Sequence, residues 1–171
     1  MNPIRLTRMG LLLAVLVACV GCDQVTKRIA TRTLAPLPPQ TYFGGILRLE
    51  YVQNPGAFLG LGGNLSPRQR FWFLTVINAA AMLVLGYVLV TRWNMPRVRF
   101  AAWSLVFAGG IGNLIDRVCQ QGLVTDFLNL RLWRLRTGIF NVADMAITAG
   151  FVLFLWIWWR EEPKPETPVV Q

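Results

Sequence analysis

Four long apolar runs divide the chain, and the segments between them differ in kind. The first runs from Met9 and continues past Asp23 and Lys27 to Ala30. The second, Phe71 to Val90, is nearly unbroken and gives the clearest span. Trp72 and Trp93 bracket it as interface anchors, and Asn78 is its one side-chain amide, expected to bond a neighbouring helix. The third covers Phe100 to Ile115, with Ala108, Gly109 and Gly112 allowing close helix packing. The fourth covers Phe140 to Trp159 and closes on Trp156, Trp158 and Trp159. Each approaches or reaches the ~20 residues a membrane-crossing helix needs. The expected spans are therefore about 9–30, 71–90, 100–115 and 140–159.

The connections carry other signals. Pro36, Pro38 and Pro39 stop the first helix. Ile46 to Gln53 alternates apolar and polar, the period of a strand, and Asn54-Pro55-Gly56 turns it. Gly60, Gly62 and Gly63 follow, a loose or closely packed backbone. Ser66-Pro67 reads as a helix N-cap with proline in the first turn. Between the second and third spans lies a short basic turn, Arg92 to Arg99. Leu130 to Arg136 again alternates roughly by two and predicts a second strand. Residues 161–171 are charged and proline-rich, which predicts a disordered tail. The predicted architecture is an all-α polytopic membrane protein. It has four transmembrane helices and a small β-rich extracytoplasmic element built from the two outer connections.

Composition sharpens this. Apolar residues make up 54% and charged ones 15%, where a soluble domain carries ~25% charged. The net charge of +9 suits lipid headgroups better than nucleic acid, because the basic residues sit in short segments between apolar runs. No nucleic-acid partner is expected; membrane phospholipids are. The chain has no His, which removes Ser-His-Asp and Cys-His catalysis and any His-based metal site. Cys19-x-x-Cys22 lies in an apolar run without a second pair, so its cysteines read as small apolar residues. No metal and no cofactor are expected. Outside the tail the acids are Asp23, Glu50, Asp116, Asp126 and Asp144, and acid–base chemistry must come from these.

The polar residues that the apolar runs do not explain are Asp23, Lys27, Asn54, Asn113, Asp116, Arg117, Asp126, Asn141 and Asp144. An ionised Asp near a bilayer centre costs ~2.5–3.5 kcal/mol on insertion scales, so such residues face a cavity or a partner. Four spans put alternate connections on opposite sides. All of these residues fall on or near the side that receives 31–70 and 118–139, which implies one shallow site. A raw Lys/Arg tally, seven on the terminal side against ten, would place the termini outside. The Arg5/Arg8 start and the Arg-rich turn at 92–99 place them inside, and the longer connections explain the ten.

Spacing suggests how the groups meet. Asp23 and Lys27 are four apart and can pair; Asn113 clusters with Asp116 and Arg117; Asn141 and Asp144 are three apart, on one helical face. Arg117, pointing away from Asp116, would bond another segment or a lipid phosphate. Two carboxylates from separate segments can share one proton, since ionising both is costly. The ionised one activates a water and the protonated one donates to the carbonyl or leaving amine. Asp126 with Asp144 is the best pair for this.

Five motifs carry a resemblance: Asp23-x-x-x-Lys27, Asn54-x-Gly56-Ala57, Gly109-Gly110-x-Gly112-Asn113-x-x-Asp116-Arg117, Val124-x-Asp126-Phe127 and Phe140-Asn141-x-Ala143-Asp144. In this order on a four-span chain they closely resemble the lipoprotein signal peptidases, also called signal peptidase II, membrane aspartyl peptidases of bacteria. The resemblance implies cleavage of diacylglyceryl-modified prolipoproteins just before the lipidated Cys, at the outer face of the cytoplasmic (inner) membrane, with both termini cytoplasmic. It implies Asp126 and Asp144 as the catalytic dyad. It suggests Asn54, Gly56, Asn113, Asp116, Arg117 and Asn141 as groups holding substrate or dyad, with Asp23 and Lys27 supporting. It also implies inhibition by globomycin-type cyclic peptides. A monomer is expected, with one four-helix peptidase domain over 1–160. The chain departs from the family pattern after Ala57, where Phe58-Leu59-Gly60 follow directly; this bears on substrate contacts of the Asn54 loop and not on the dyad.

Three other readings stay beside this one. Intramembrane acids also mark proton-coupled carriers, which would want acids through the whole bilayer depth. A Ser–Lys peptidase could pair Lys27 with Ser66 or Ser104. Leu16-Val17-Ala18-Cys19 looks like a lipoprotein cleavage box, which would make the chain itself a lipoprotein processed at Cys19.

Overall fold

The computed structural model describes residues 3–56, 66–92 and 94–160. The glycines at 60, 62 and 63, the departure after Ala57, the anchor Trp93 and the tail 161–171 lie outside the described residues. Four helices are long and apolar enough to cross a membrane: α1 (Pro3–Thr33), α2 (Pro67–Thr91), α3 (Arg97–Cys119) and α4 (Val142–Arg160). Each extends past the apolar run that predicts it, except α4, which starts two residues later. Apolar runs mark what lipid covers, whereas helix ends follow caps and prolines. Ser66 shows this for α2: its side chain accepts from the Gln69 N–H, Gln69 reaches back to the Ser66 N–H, and proline follows in the first turn.

The central helix is α3, which packs on α1, α2 and α4, and half of its apolar stretch is buried. Glycine makes this possible. A Cβ at Gly109 would lie 2.4 Å from the Ala143 carbonyl oxygen, and one at Gly110 would lie 2.2 Å from Met82 Sδ. The same holds on α4, where a Cβ at Gly150 would lie 2.7 Å from the Ala102 carbonyl oxygen. Asn78 on α2 donates to the Gly110 carbonyl at 3.3 Å, the interhelical bond expected of it. The apolar core gathers Leu12, Leu85, Leu89, Phe100 and Val106, from the start of α1, the end of α2 and the start of α3. The opposite halves of α1 and α3 bury polar groups instead, among them Asp23, Lys27, Asn113, Asp116 and Arg117.

Beyond those polar ends lies a four-stranded antiparallel sheet in the order β1-β2-β3-β4. Its strands are β1 (Gln40–Tyr42), β2 (Leu47–Asn54), β3 (Val124–Leu132) and β4 (Leu135–Arg136). β2 matches its alternating pattern. The single strand predicted over 130–136 is instead the tip of a hairpin, turning at Trp133 and Arg134. Most of β3 lies earlier, in Val124 to Asn129, where residues on both faces are largely buried and the alternation is masked.

A β-bulge in β2 decides what faces Asp126. Leu49 opposes Leu128 and Val52 opposes Asp126, so β2 spends one residue more than β3 between these pairs. Side chains alternate along a strand, and the extra residue flips β2 from one face to the other. Val52 and Asn54 thereby come onto the face of Asp126; a regular ladder would have put Gln53 there.

Candidate active site

Three backbone segments deliver the polar cluster. The end of β2 brings Asn54, the start of β3 brings Asp126, and the start of α4 brings Asn141 and Asp144. The second half of α1 and the last turns of α3 supply its floor.

Asp126 is 2% exposed. Asn54 Nδ2 donates to its Oδ2 at 2.7 Å, and Asn141 Nδ2 donates to its Oδ1 at 2.6 Å. Burial raises its pKa from the ordinary carboxylate value to about 6; the Asn54 bond opposes the rise, the Asp144 carboxylate adds to it, and the Asn141 bond and the Lys27 ammonium oppose it. The group is thus poised between protonated and ionised near neutral pH.

Asp144 is half-buried, in the first turn of α4. Asn113 Nδ2 donates to its Oδ1 at 2.8 Å, and the Asn141 backbone N–H donates to its Oδ2 at 3.2 Å. Asn141 Oδ1 accepts the Asp144 N–H at 2.9 Å in return. The three-residue spacing of Asn141 and Asp144 is therefore a reciprocal helix cap, and not one face of a helix as the spacing predicts. The carboxylate also lies where the helix dipole favours negative charge.

Asn113 is held from two sides. Its Oδ1 accepts from Lys27 Nζ at 3.0 Å and from Asn141 Nδ2 at 3.1 Å, which leaves its NH2 for Asp144. Arg117 donates to the carbonyl of Gly56 at 3.4 Å and to that of Asn113 at 3.5 Å, so its partner is another segment. Gly56 in turn donates its N–H to Asn54 Oδ1 at 2.9 Å, which fixes the Asn54 turn. Asp23 and Lys27 pair at 2.8 Å, as their spacing predicts, but deep in the bundle: they are 0% and 4% exposed.

All ten sequence-predicted site residues thus enter one hydrogen-bonded cluster. Two participants carry no sequence signal. Gln24 bridges Asp23 and Asp116 at 3.2 and 3.0 Å, and Thr125 donates its N–H to Asp116 at 2.9 Å. Gln24 sits inside the Asp23-x-x-x-Lys27 spacing as an unremarkable polar residue, and Thr125 acts through its backbone, which no side-chain pattern reveals. Among the described residues the Ser–Lys alternative finds no geometry: Lys27 bonds Asp23, Asp116 and Asn113, while Ser66 caps α2 and Ser104 donates to the Phe100 carbonyl.

Chemically the cluster offers two carboxyl groups from separate segments, bridged by one asparagine. Such an arrangement couples the two groups, so that one can carry a proton while the other, ionised, can activate a water.

The sequence profile of the family described as Signal peptidase (SPase) II matches residues 15–160. The lipoprotein signal peptidase of Desulforapulum autotrophicum is 36% identical over 157 residues, covering 91% of this chain and 94% of that protein. That of Moorella thermoacetica is 37% identical over 146 residues, covering 85% and 89%. A solved structure titled as a bacterial membrane enzyme determined by the in meso method at 1.9 Å superposes with a TM-score of 0.75 at 28% identity, covering 90% of this chain and 95% of that one. The chain belongs to the signal peptidase II family.

Proposed function

We propose that this protein removes the signal peptide from lipid-modified prolipoproteins, cutting just before the lipidated cysteine, with Asp126 and Asp144 as an aspartyl dyad. The observation that carries this reading is the bridge between them: Asn141 bonds Asp126 through its side chain and Asp144 through its backbone. Family membership supports the substrate, since the relatives are named lipoprotein signal peptidases.

In this reading the buried Asp126 carries the proton and the more open Asp144 is ionised. Asp144 takes a proton from water as its oxygen attacks the scissile carbonyl carbon, and Asp126 gives its proton to the carbonyl oxygen. The gem-diol then returns a proton to Asp126, Asp144 passes its proton to the leaving amine, and the C–N bond breaks. The original protonation states are restored. Asn54, Asn113 and Asn141 hold the two carboxyls; Arg117 and Gly56 hold the Asn54 turn against the end of α3.

The four helices support a multi-pass membrane protein. In the proposed setting it is a monomer among phospholipids of the bacterial cytoplasmic membrane, termini in the cytoplasm and the dyad on the extracytoplasmic side, blocked by globomycin-type cyclic peptides. A phosphatase fusion at the C-terminus would then be inactive; an active one would reverse the orientation.

The deciding experiment is in vitro cleavage of a diacylglyceryl-modified precursor. Asp126→Asn and Asp144→Asn should each abolish turnover while the protein still inserts. Near-normal turnover by either would refute the dyad.

A further inference from the structure

Two backbone N–H groups stand out by their position. Ala143 immediately precedes Asp144, and its N–H donates to Asp23 Oδ1 at 2.9 Å. Thr125 immediately precedes Asp126, and its N–H donates to Asp116 Oδ2 at 2.9 Å. The acceptors are buried carboxylates on two different helices, Asp23 on α1 and Asp116 on α3. One ammonium joins them: Lys27 Nζ lies 2.8 Å from Asp23 and 3.1 Å from Asp116. Its remaining bond goes to Asn113 Oδ1, the group that turns the Asn113 amide toward Asp144. An ammonium has three donors, and here all three are spent on parts that lead to the two catalytic carboxyls. Gln24 closes the arrangement by donating to both carboxylates and to the Gly112 carbonyl at 3.2 Å.

A buried triad of charges is a poor way to stabilise a fold, since well-packed apolar residues of similar volume often do as well or better. α1 and α3 already meet through apolar groups at the other end of the bundle, where Leu12 and Leu16 join Phe100 and Val106. The space is also tight: a Cβ at Gly112 would lie 2.7 Å from Asp23 Oδ2, so the carboxylate is seated on bare backbone. The carboxylates reach the peptide groups just before each Asp, where a small shift moves the reacting oxygens directly.

We propose that Asp23, Lys27 and Asp116 are a positioning clamp that sets the separation of Asp126 and Asp144 by gripping the peptide N–H before each. The clamp touches no substrate; it acts through Thr125, Ala143 and Asn113. This inference rests on the dyad reading above and deepens it, assigning to α1 and α3 a role distinct from mere packing.

The test uses the full-length protein in detergent micelles or bilayers. In Asp116→Asn and Asp23→Asn, which keep volume, kcat should fall about 10²-fold with KM changed less than about threefold, since ~1 Å of misplacement costs that much. Amide exchange provides the readout independent of catalysis. Peptides covering Thr125 should lose protection in Asp116→Asn, and those covering Ala143 should lose it in Asp23→Asn, each leaving the other segment less affected. Because either single variant changes the charge balance of the buried triad, the charge-free triple variant Asp23→Asn/Lys27→Met/Asp116→Asn is measured beside them. The clamp predicts that it unfolds at or near the native temperature yet stays as slow as the single variants. Native kcat in any variant that folds, unchanged exchange at both segments, or recovery of kcat together with stability in the triple variant would overturn the clamp. Cleavage by Asp126→Asn or Asp144→Asn would instead overturn the dyad, and the exchange result would still stand or fall on its own.

Discussion

Asn141 and Asp144 cap each other: the Asn141 Oδ1 accepts the Asp144 N–H at 2.9 Å, and the Asp144 Oδ2 accepts the Asn141 N–H at 3.2 Å. One pair of bonds therefore begins α4 and aims the carboxyl of Asp144. The side-chain NH2 of Asn141 is left over from the cap, and it is what reaches Asp126 and Asn113. A single asparagine thus does two jobs with two ends of its amide.

Those jobs can be separated by substitution. Asn141→Ser keeps a capping oxygen but has no NH2, so it should lose only the roughly 1–3 kcal/mol of buried acceptors left unpaired, and not the further ~1 kcal/mol of the cap. Turnover should nevertheless fall by about two orders of magnitude, because the bridge to Asp126 is gone and misplaced reacting groups cost on that scale. Asn141→Ala loses both functions and should add a stability deficit. Thermal unfolding and a cleavage assay on the same preparations decide it; equal turnover for Asn141→Ser and the native protein would mean that the bridge is idle.

The helix interface makes a second prediction, with a built-in control. Gly109→Ala puts a methyl group 2.4 Å from the Ala143 carbonyl oxygen and 2.7 Å from Ile147 Cγ1. Backbone cannot give way cheaply there, and overpacking of this kind costs about 1–3 kcal/mol. Relief requires α4 to back away from α3, which carries Asp144 with it, so turnover should fall along with stability. Gly21→Ala on α1 meets nothing within 4 Å and should be neutral or stabilising by up to about 1 kcal/mol, with native turnover. If both variants unfold alike and cleave alike, close packing at Gly109 is not what positions the last helix.

Much of this arrangement is legible in the sequence. Apolar run lengths locate four helices, and their count alone brings every unexplained polar residue to one side. The i,i+4 pair of Asp23 and Lys27 and the interhelical bond of Asn78 follow from spacing and from the cost of an orphaned amide in lipid. The rest is hidden for physical reasons. Asp126 lies on a strand, but burial of both faces of β3 erased the alternation that marks one. The bulge that selects Asn54 over Gln53 depends on the register of a partner strand some seventy residues away, which no local pattern encodes. The Asn141–Asp144 spacing fits a helical face and a capping box equally well, and only the start of α4 at Val142 decides between them. Thr125 and Ala143 matter through peptide N–H groups, which all non-proline residues possess.

The Asn54 contact should be visible in the pH dependence of cleavage. Its hydrogen bond favours the ionised form of Asp126, opposing the rise that burial causes. Asn54→Ala removes that bond, so the Asp126 pKa should move up from about 6. If Asp126 acts as the proton donor, the alkaline limb of kcat/KM should shift to higher pH in this variant, even as the maximal rate drops. Apparent pKa values from such a profile belong to the pair of carboxyls, so the comparison is between variants and not with one residue's titration. An alkaline limb that stays put, or moves down, would argue that Asp126 is not the donor.

Stability should carry the same signature, in a definite direction. The folded state raises Asp126 from 3.8 to about 6. Between these values the native protein holds a proton that the unfolded chain releases. The contribution of this group is therefore fully favourable below about pH 4 and is lost as pH rises through about 6. The size is about 3 kcal/mol, from roughly two pKa units at ~1.4 kcal/mol each. Asp126→Asn cannot ionise, so the difference in stability between native protein and variant should change across this window in the variant's favour and be flat above about pH 7. Unfolding measured in one detergent at several pH values from 4 to 8 gives that difference directly. A native protein that gains stability relative to Asp126→Asn as pH rises from 4 to 7 would place an ionised, stabilised carboxylate at this position, and the proton assignment in the dyad would have to be exchanged.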